Sequence, residues 1–115
     1  MLLPALLVPP QFITASSVAY YTTPVPANGQ AAITAKISRA VFVNTTGGAL
    51  TLTAGISNSG ALTAGTTLIS VSIPANQTYI SPELAGAILP SGYALYANTS
   101  AGSDIIIMVS GLTIQ

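Results

Sequence analysis

The stretch that decides the fold is Leu50-Thr51-Leu52-Thr53-Ala54-Gly55-Ile56. Its apolar residues alternate with threonine and glycine at a period of two, whereas an amphipathic helix repeats about every 3.6 residues. In a strand, successive side chains point to opposite faces of the sheet. The stretch therefore predicts a β-strand with one face towards a core and the other towards polar surroundings.

The rest of the chain contains more segments of this kind, separated by turns rich in glycine, proline and asparagine. Strands are predicted at residues 12–22, 31–36, 37–44, 50–56, 69–73, 77–80, 93–97 and 104–114. Residues 81–86 are typical of one helical turn, with Ser81 as its cap and Pro82 in the first helical position. We expect an all-β fold, an antiparallel β-sandwich or jelly roll of about seven to nine short strands, as a single domain over residues 12–115.

The first eleven residues predict an extended arm, because Pro4, Pro9 and Pro10 disfavour a regular helix. The arm is too apolar to be left in water, and its candidate contact residues are Leu2, Leu3, Leu6, Leu7 and Val8. It can lie on its own domain as a first strand, or on a neighbouring subunit, and the sequence leaves both open. It has no basic start and its apolar run is interrupted, so we expect it to be retained rather than cleaved as a signal peptide.

The surface of this chain carries very little charge. Its charged residues are Lys36, Arg39, Glu83 and Asp104, which make up 3% of 115 residues, against about a quarter in ordinary soluble domains. The mean hydropathy is +0.71, and a net charge near zero promotes association. We therefore expect neighbouring subunits to cover much of the surface in the working state.

The same composition argues against several classes of function. The sequence has no cysteine and no histidine, which removes disulfides, thiolate metal sites and the usual general base. Two cations cannot form a groove that follows a phosphate backbone, so no nucleic-acid partner is expected. No run of about 18 to 20 residues is continuously apolar, so no membrane span is expected. We predict no catalytic residues, no cofactor and no metal.

The four charged residues have structural interpretations. Glu83 and Asp104 are the only carboxylate pair, and glycoside hydrolysis requires two, but we expect them to be a charge in a helical turn and a strand-edge residue rather than catalytic groups. Lys36 and Arg39 precede the apolar run at residues 40–43. They are either partners for Glu83 or Asp104 of a neighbouring subunit, or solubilising charges at a strand edge.

Aromatic residues outnumber the charges. Tyrosine offers apolar area with a polar tip and is frequent at interfaces, but it also lines the rims of cores and forms platforms for sugars. The aromatic residues that we take as interface candidates are Phe12, Tyr20, Tyr21, Tyr79, Tyr93 and Tyr96. Lys36, Arg39 and Glu83 complete this set of candidates together with the apolar residues of the arm.

Four segments carry a resemblance to a known class of proteins. Residues 33–47, 72–79, 81–86 and 108–114 have the sequences ITAKISRAVFVNTTG, SIPANQTY, SPELAG and MVSGLTI. This pattern, over roughly residues 30–115, resembles the small β-sandwich structural proteins of tailed bacteriophage virions.

The resemblance implies a non-enzymatic virion protein. We expect a capsid decoration (cement) protein that stabilises the phage head, assembles as a homo-oligomer, expected to be a trimer, and contacts the major capsid protein or other virion proteins. The alternatives are a neck, tail or baseplate component, or a jelly-roll module that binds carbohydrate or a receptor.

Overall fold

A computed structural model describes residues 2–63, 65–100 and 104–114, and the side chains of Leu2, Leu3 and Ala5 lie outside this description. In these residues the chain forms strands and turns without a helix. The strands are β1 (Leu2–Ile13), β2 (Val18–Thr22), β3 (Thr34–Asn44), β4 (Leu50–Ser57), β5 (Thr67–Ile73), β6 (Thr78–Ile80), β7 (Ile88–Leu89), β8 (Ala94–Thr99) and β9 (Ile105–Ile114).

The strands form two antiparallel sheets that pack face to face. The first sheet has the order β1-β9-β3-β6, and β7 also pairs with β3. The second sheet has the order β2-β8-β4-β5. This arrangement confirms the predicted all-β antiparallel sandwich.

The core lies between the two sheets and follows the alternation of the strands. In β4, Leu52 and Ala54 are fully buried while Thr51 is exposed, as the sequence pattern predicts. The largest buried side chains come from both sheets: Ile13, Ile37, Phe42, Ile105 and Ile107 from the first, and Leu52, Ile69, Ile73 and Leu95 from the second. The core is therefore built almost entirely from side chains at alternate strand positions.

Residues 2–11 of the predicted arm belong to β1, which pairs with β9 from Leu2 to Ile13, and Met1 lies outside the described residues. Of the two alternatives that the sequence leaves open, the structure shows the arm on its own domain, as the edge strand of the first sheet. The strand continues across the boundary expected after residue 11. Any additional contact of this strand with a neighbouring subunit stays a prediction.

Two register shifts in β1 explain how its apolar residues are placed. The pairing with β9 slips between Leu6 and Val8, and again between Val8 and Gln11. At the first of these bulges two consecutive side chains, Leu7 and Val8, are buried, because an extra residue breaks the strict alternation. The second bulge spans Pro9 and Pro10, which cannot donate to a ladder and are tolerated at an edge.

Several element boundaries differ from the sequence-based expectation. The segment 12–22 is two strands rather than one, because the chain bends between Ile13 and Val18. There the backbone N–H of Thr14 donates to the Tyr20 hydroxyl at 2.9 Å. The segments 31–36 and 37–44 are one strand, β3, with a register shift between Ile37 and Arg39.

The segment 81–86 forms consecutive turns instead of a helical turn. The short strand β7 follows, and no pattern in the sequence predicts it. The predicted cap is nevertheless made, because the Leu84 N–H donates to the Ser81 hydroxyl at 3.1 Å. The Leu84 side chain is fully buried. This segment therefore closes the end of the core beside β3.

Gly111 allows β3 and β9 to approach closely near the register shift. It pairs with Ile37, and a Cβ at this position would overlap the backbone oxygen of Lys36 and lie 3.0 Å from the Leu7 side chain. Real Cβ atoms do not pack so closely, so a glycine is required here. The close approach keeps β1, β9 and β3 in one continuous sheet.

Asn44 connects the two sheets by hydrogen bonds. It ends β3 in the first sheet and is fully buried. Its Nδ2 donates to the backbone oxygens of Ile73 at 3.0 Å and Pro74 at 3.2 Å, at the end of β5 in the second sheet, and to Gly48 at 2.8 Å. Its Oδ1 accepts from the Thr46 N–H at 2.9 Å. A buried amide with every polar atom paired fixes how these two strand ends meet.

We predict that Asn44→Asp lowers the free energy of unfolding by about 2 to 4 kcal/mol, since a carboxylate cannot donate to three carbonyl oxygens and its charge is buried. Urea unfolding followed by circular dichroism measures this. The matched control is Asn98→Asp, at a half-buried outward position of β8, where we expect about 1 kcal/mol or less. Equal losses in the two variants would contradict the role given to Asn44.

Candidate protein-binding face

The outer face of the first sheet is apolar along its central strand. In β9, Ile105, Ile107 and Val109 are buried in the core. The residues at the even-numbered positions of the strand therefore point to the opposite side of the sheet. These outward residues are, in order, Ile106, Met108, Ser110, Leu112 and Ile114, all half-buried. In a strand with one side towards water, these positions would be polar.

The strands on both sides of β9 continue this surface, since residues paired across an antiparallel ladder point to the same side. Val43 and Phe12 pair with Ile106, and Val41 pairs with Met108. The edges add large exposed side chains, with exposed fractions of 53% for Leu6, 49% for Phe12, 52% for Ile80 and 58% for Ile88. We call the outward surface of β1, β9, β3, β6 and β7 the apolar face.

The outer face of the second sheet has the opposite character. Its outward residues in β4 and β5 include Thr51, Thr53, Ser70 and Ser72, and those in β8 include Tyr96 and Asn98. Exposed apolar side chains occur in its edge strands, at Val18 of β2 and Leu68 of β5. Hydroxyl and amide side chains are what an antiparallel sheet presents to water. The two faces of the same sandwich therefore differ, and contiguous apolar patches on a surface are typical of sites that bind a protein, a membrane or a ligand.

Three of the four charged residues lie on the outward side of the first sheet, the two cations towards one end of β9 and the carboxylate at its other end. Arg39 pairs with Ser110 and Lys36 pairs with Leu112, both on the outward side of the sheet, and both cations are exposed. Asp104 directly precedes the inward-facing Ile105 and lies at the other end of β9, where its backbone oxygen accepts from the Thr45 N–H at 3.0 Å. Among the residues that the structure describes, these three charged side chains make no hydrogen bond or ion pair.

Glu83, the fourth charged residue, is held within the chain and away from the apolar face. The Tyr79 hydroxyl donates to its carboxylate, at 2.5 Å to Oε1 and 3.0 Å to Oε2, and the Ser81 hydroxyl donates to Oε1 at 3.2 Å. The bond from Tyr79 holds the pKa of Glu83 below its ordinary value of 4.5. Burial, followed by the Glu83 carboxylate, raises the pKa of Tyr79 to about 12.

Most of the tyrosines taken as interface candidates contact the core of their own domain. Tyr20, Tyr21, Tyr79 and Tyr93 are half-buried and pack against it. The Tyr79 ring lies 6.5 Å from that of Phe42, centroid to centroid, within the range of an aromatic pair. Tyr96 lies on the outer side of the second sheet, away from the apolar face.

The other interface candidates divide between the core and the apolar face. Leu7 and Val8 are buried in the core, whereas Leu6, Phe12, Lys36 and Arg39 come together on the apolar face. The side chains of Leu2 and Leu3 lie outside the described part of the chain. Their role at an interface stays a prediction.

The central residues of the apolar face were not among the candidates from the sequence. Val41, Val43, Ile106 and Met108 occur in the runs 40–43 and 105–109, which are apolar without alternation. A strand that is apolar on both sides indicates that both of its faces are covered. That signal is present in the sequence and could have identified this surface.

In the described part of the chain, no cavity and no group of three metal-binding side chains is found, and no helix is long and apolar enough to span a membrane. Comparisons with models of known protein families, with curated proteins and with solved structures gave no match.

We predict that Tyr79→Phe raises the pKa of Glu83 towards 4.5, because the variant lacks the hydroxyl that donates to the carboxylate. Glu83 is the chain's single glutamate, so one labelled side-chain carboxyl carbon reports the titration by NMR. A pKa that is lower in the folded state adds stability above the unfolded pKa and loses it as the pH falls through the folded value. Acid should therefore remove this contribution below about pH 4.5 in the parent protein but not in the variant.

The matched control is Tyr96→Phe, which should leave the pKa of Glu83 unchanged because Tyr96 lies on the second sheet. On the alkaline side, the raised pKa of Tyr79 means that its contribution is present below about pH 10 and lost as the pH rises towards 12. An identical Glu83 titration in the parent and in Tyr79→Phe would rule out the bond as the cause.

Proposed function

We propose that this protein is a non-enzymatic structural protein that acts within an assembly, in which another protein surface covers the apolar face. The observation that carries the proposal is the contrast between the two outer faces of the sandwich. One presents Ile106, Met108 and Val41 where the other presents threonine and serine. A working surface of this kind needs shape and apolar area rather than reactive groups.

The setting that we propose is a phage virion, with the protein as a capsid decoration (cement) protein. This part of the proposal rests on the resemblance of the residue pattern to small β-sandwich virion proteins. A protein that binds only the assembled shell stabilises that shell by mass action. The scarcity of charge suits such a role, since the chain works where neighbours cover it.

Assembly through the apolar face predicts where neighbouring protein lies. A photoreactive side chain in place of Met108 should form protein adducts when the chain is irradiated in its native assembly. The same group in place of Ser72, an outward and exposed position of β5, is the matched control and should give several-fold fewer adducts. Peptide mass spectrometry quantifies both. Equal adduct yields at the two positions would remove the support for the proposed function.

The virion setting predicts where the protein is found. In density-purified particles from the source that encodes the chain, quantitative mass spectrometry should detect it at a copy number in fixed proportion to the major shell protein. If the chain stays entirely in the soluble fraction while intact particles lack it, the virion setting is wrong. Assembly through the apolar face would then be tested by the adduct experiment alone.

A further inference from the structure

We propose that a second copy of the same chain covers the apolar face, in a two-fold arrangement that places Lys36 and Arg39 of each copy opposite Asp104 of the other. This inference rests on the proposed function, assembly through the apolar face, and it names the partner. It takes a dimer in place of the trimer that the resemblance implies. It is carried by the positions of the three charges on that face.

The cations and the carboxylate are too far apart to meet within one chain. Arg39 pairs with Ser110, which follows Asp104 by six residues in nearly continuous strand. At about 3.3 Å per residue, this separates the two rows by about 20 Å. Lys36 lies beside Leu112, the next outward residue of β9 after Ser110 and further still from Asp104. The face is therefore positive towards one end and negative at the other, with Ile106 and Met108 between the charges, and Ile114 continues the apolar surface beyond the cations.

We place a two-fold axis between two facing copies, perpendicular to their strands and close to Met108. Rotation about this axis exchanges the two ends of the face. It places the positive end of each copy over the negative end of the other, so that two sets of opposite charges form at once. The strands of the two copies then run in opposite directions within an aligned packing of sheets, which lie about 10 Å apart. A long cationic side chain and a short aspartate together bridge such a gap.

The size of the face suits a second copy. Three rows of about ten residues at about 3.3 Å each, about 4.8 Å apart, with β6 and β7 as a partial fourth row, cover roughly 550 Å². Two such faces bury roughly 1,100 Å² in total, which exceeds the roughly 1,000 Å² expected of a biological interface and lies just below the standard range for stable ones. Because a two-fold interface is self-complementary, the same patch serves on both sides.

Other features of the chain favour this face and these charges over the alternatives. Glu83 is already bonded to Tyr79 and Ser81 within its own chain, so Asp104 is the carboxylate free to receive a cation. Pairing through the edge of β1 is hindered because Pro4, Pro9 and Pro10 lack the N–H donors that a further strand requires.

The test uses the full-length chain and two reversed-charge variants. Light scattering after size exclusion should give the parent a mass of about 23 kDa, twice 11.5 kDa. Lys36→Glu/Arg39→Glu and Asp104→Arg should each weaken dimerisation by at least about tenfold, since like charges then face each other at both ends. A mixture of the two variants should form a heterodimer with an affinity within roughly threefold of the parent, because every facing pair is again opposite in sign.

The matched control is Glu83→Arg, which changes the net charge as Asp104→Arg does but away from the apolar face; it should leave dimerisation unchanged. Circular dichroism checks that every variant is folded. If one variant does not fold, the parent protein still tests the charge pairs, because its dimer should dissociate more readily as the salt concentration rises. A parent of one or three copies, or folded variants whose mixture does not dimerise, would overturn the two-fold arrangement. In that case, adducts between position 108 and a different protein would still support the proposed function, but with a partner other than a second copy of the chain.

Discussion

Strand β9 is the constraint on which the rest of the structure depends. It lies between β1 and β3 and pairs with both along nearly its whole length. Its inward side, Ile105, Ile107 and Val109, forms the middle of the core. Its outward side is almost as apolar, and one sandwich can bury only one of these two sides. The second sheet covers the inward side, and the described part of the chain leaves the outward side uncovered.

The apolar face also explains why the edges of the first sheet are built as they are. An exposed strand edge invites further strands, and proteins limit this with prolines and bulges. In β1 three prolines and two register shifts occur together, and on the other side of β3 the segment 77–89 follows β3 closely. Association is thereby disfavoured at these edges, and the face becomes the surface through which the first sheet can bind.

The sequence predicted the fold class because the strands carry their own periodicity. The alternation at residues 50–56 and 69–73 is local, and the buried Leu52, Ile69 and Ile73 follow from it. The pairing of β1 with β9 joins opposite ends of the chain, and no local pattern encodes such a contact. The bulge that buries both Leu7 and Val8 likewise depends on the partner strand, which is why an arm and an edge strand were equally compatible with the sequence.

The candidate site was predicted only in part, for a related reason. Leu6, Phe12, Lys36 and Arg39 were chosen for their residue type, and the fold brings them to one surface with residues that were not chosen. Tyr20 and Tyr79 were chosen for the same reason, but their rings pack against their own core. Residue type alone cannot distinguish a side chain on the apolar face from one that packs against the core. The loss of alternation in β3 and β9 can, because it shows that apolar residues occur on both sides of a strand.

The scarcity of charge takes on a more specific meaning once the charges are located. An exposed ion pair contributes little to the stability of a domain, but like charges brought together at an interface are costly, and charge placement fixes its register. Here one charge is bonded within the chain, and of the other three the two cations lie towards one end of the apolar face and the carboxylate at its other end. Apolar area gives such a face its affinity without deciding how a partner is oriented, since apolar contacts are not directional. With so few charges, the orientation depends on where they lie, and two ends of opposite sign favour a partner that presents the same two ends in reverse order.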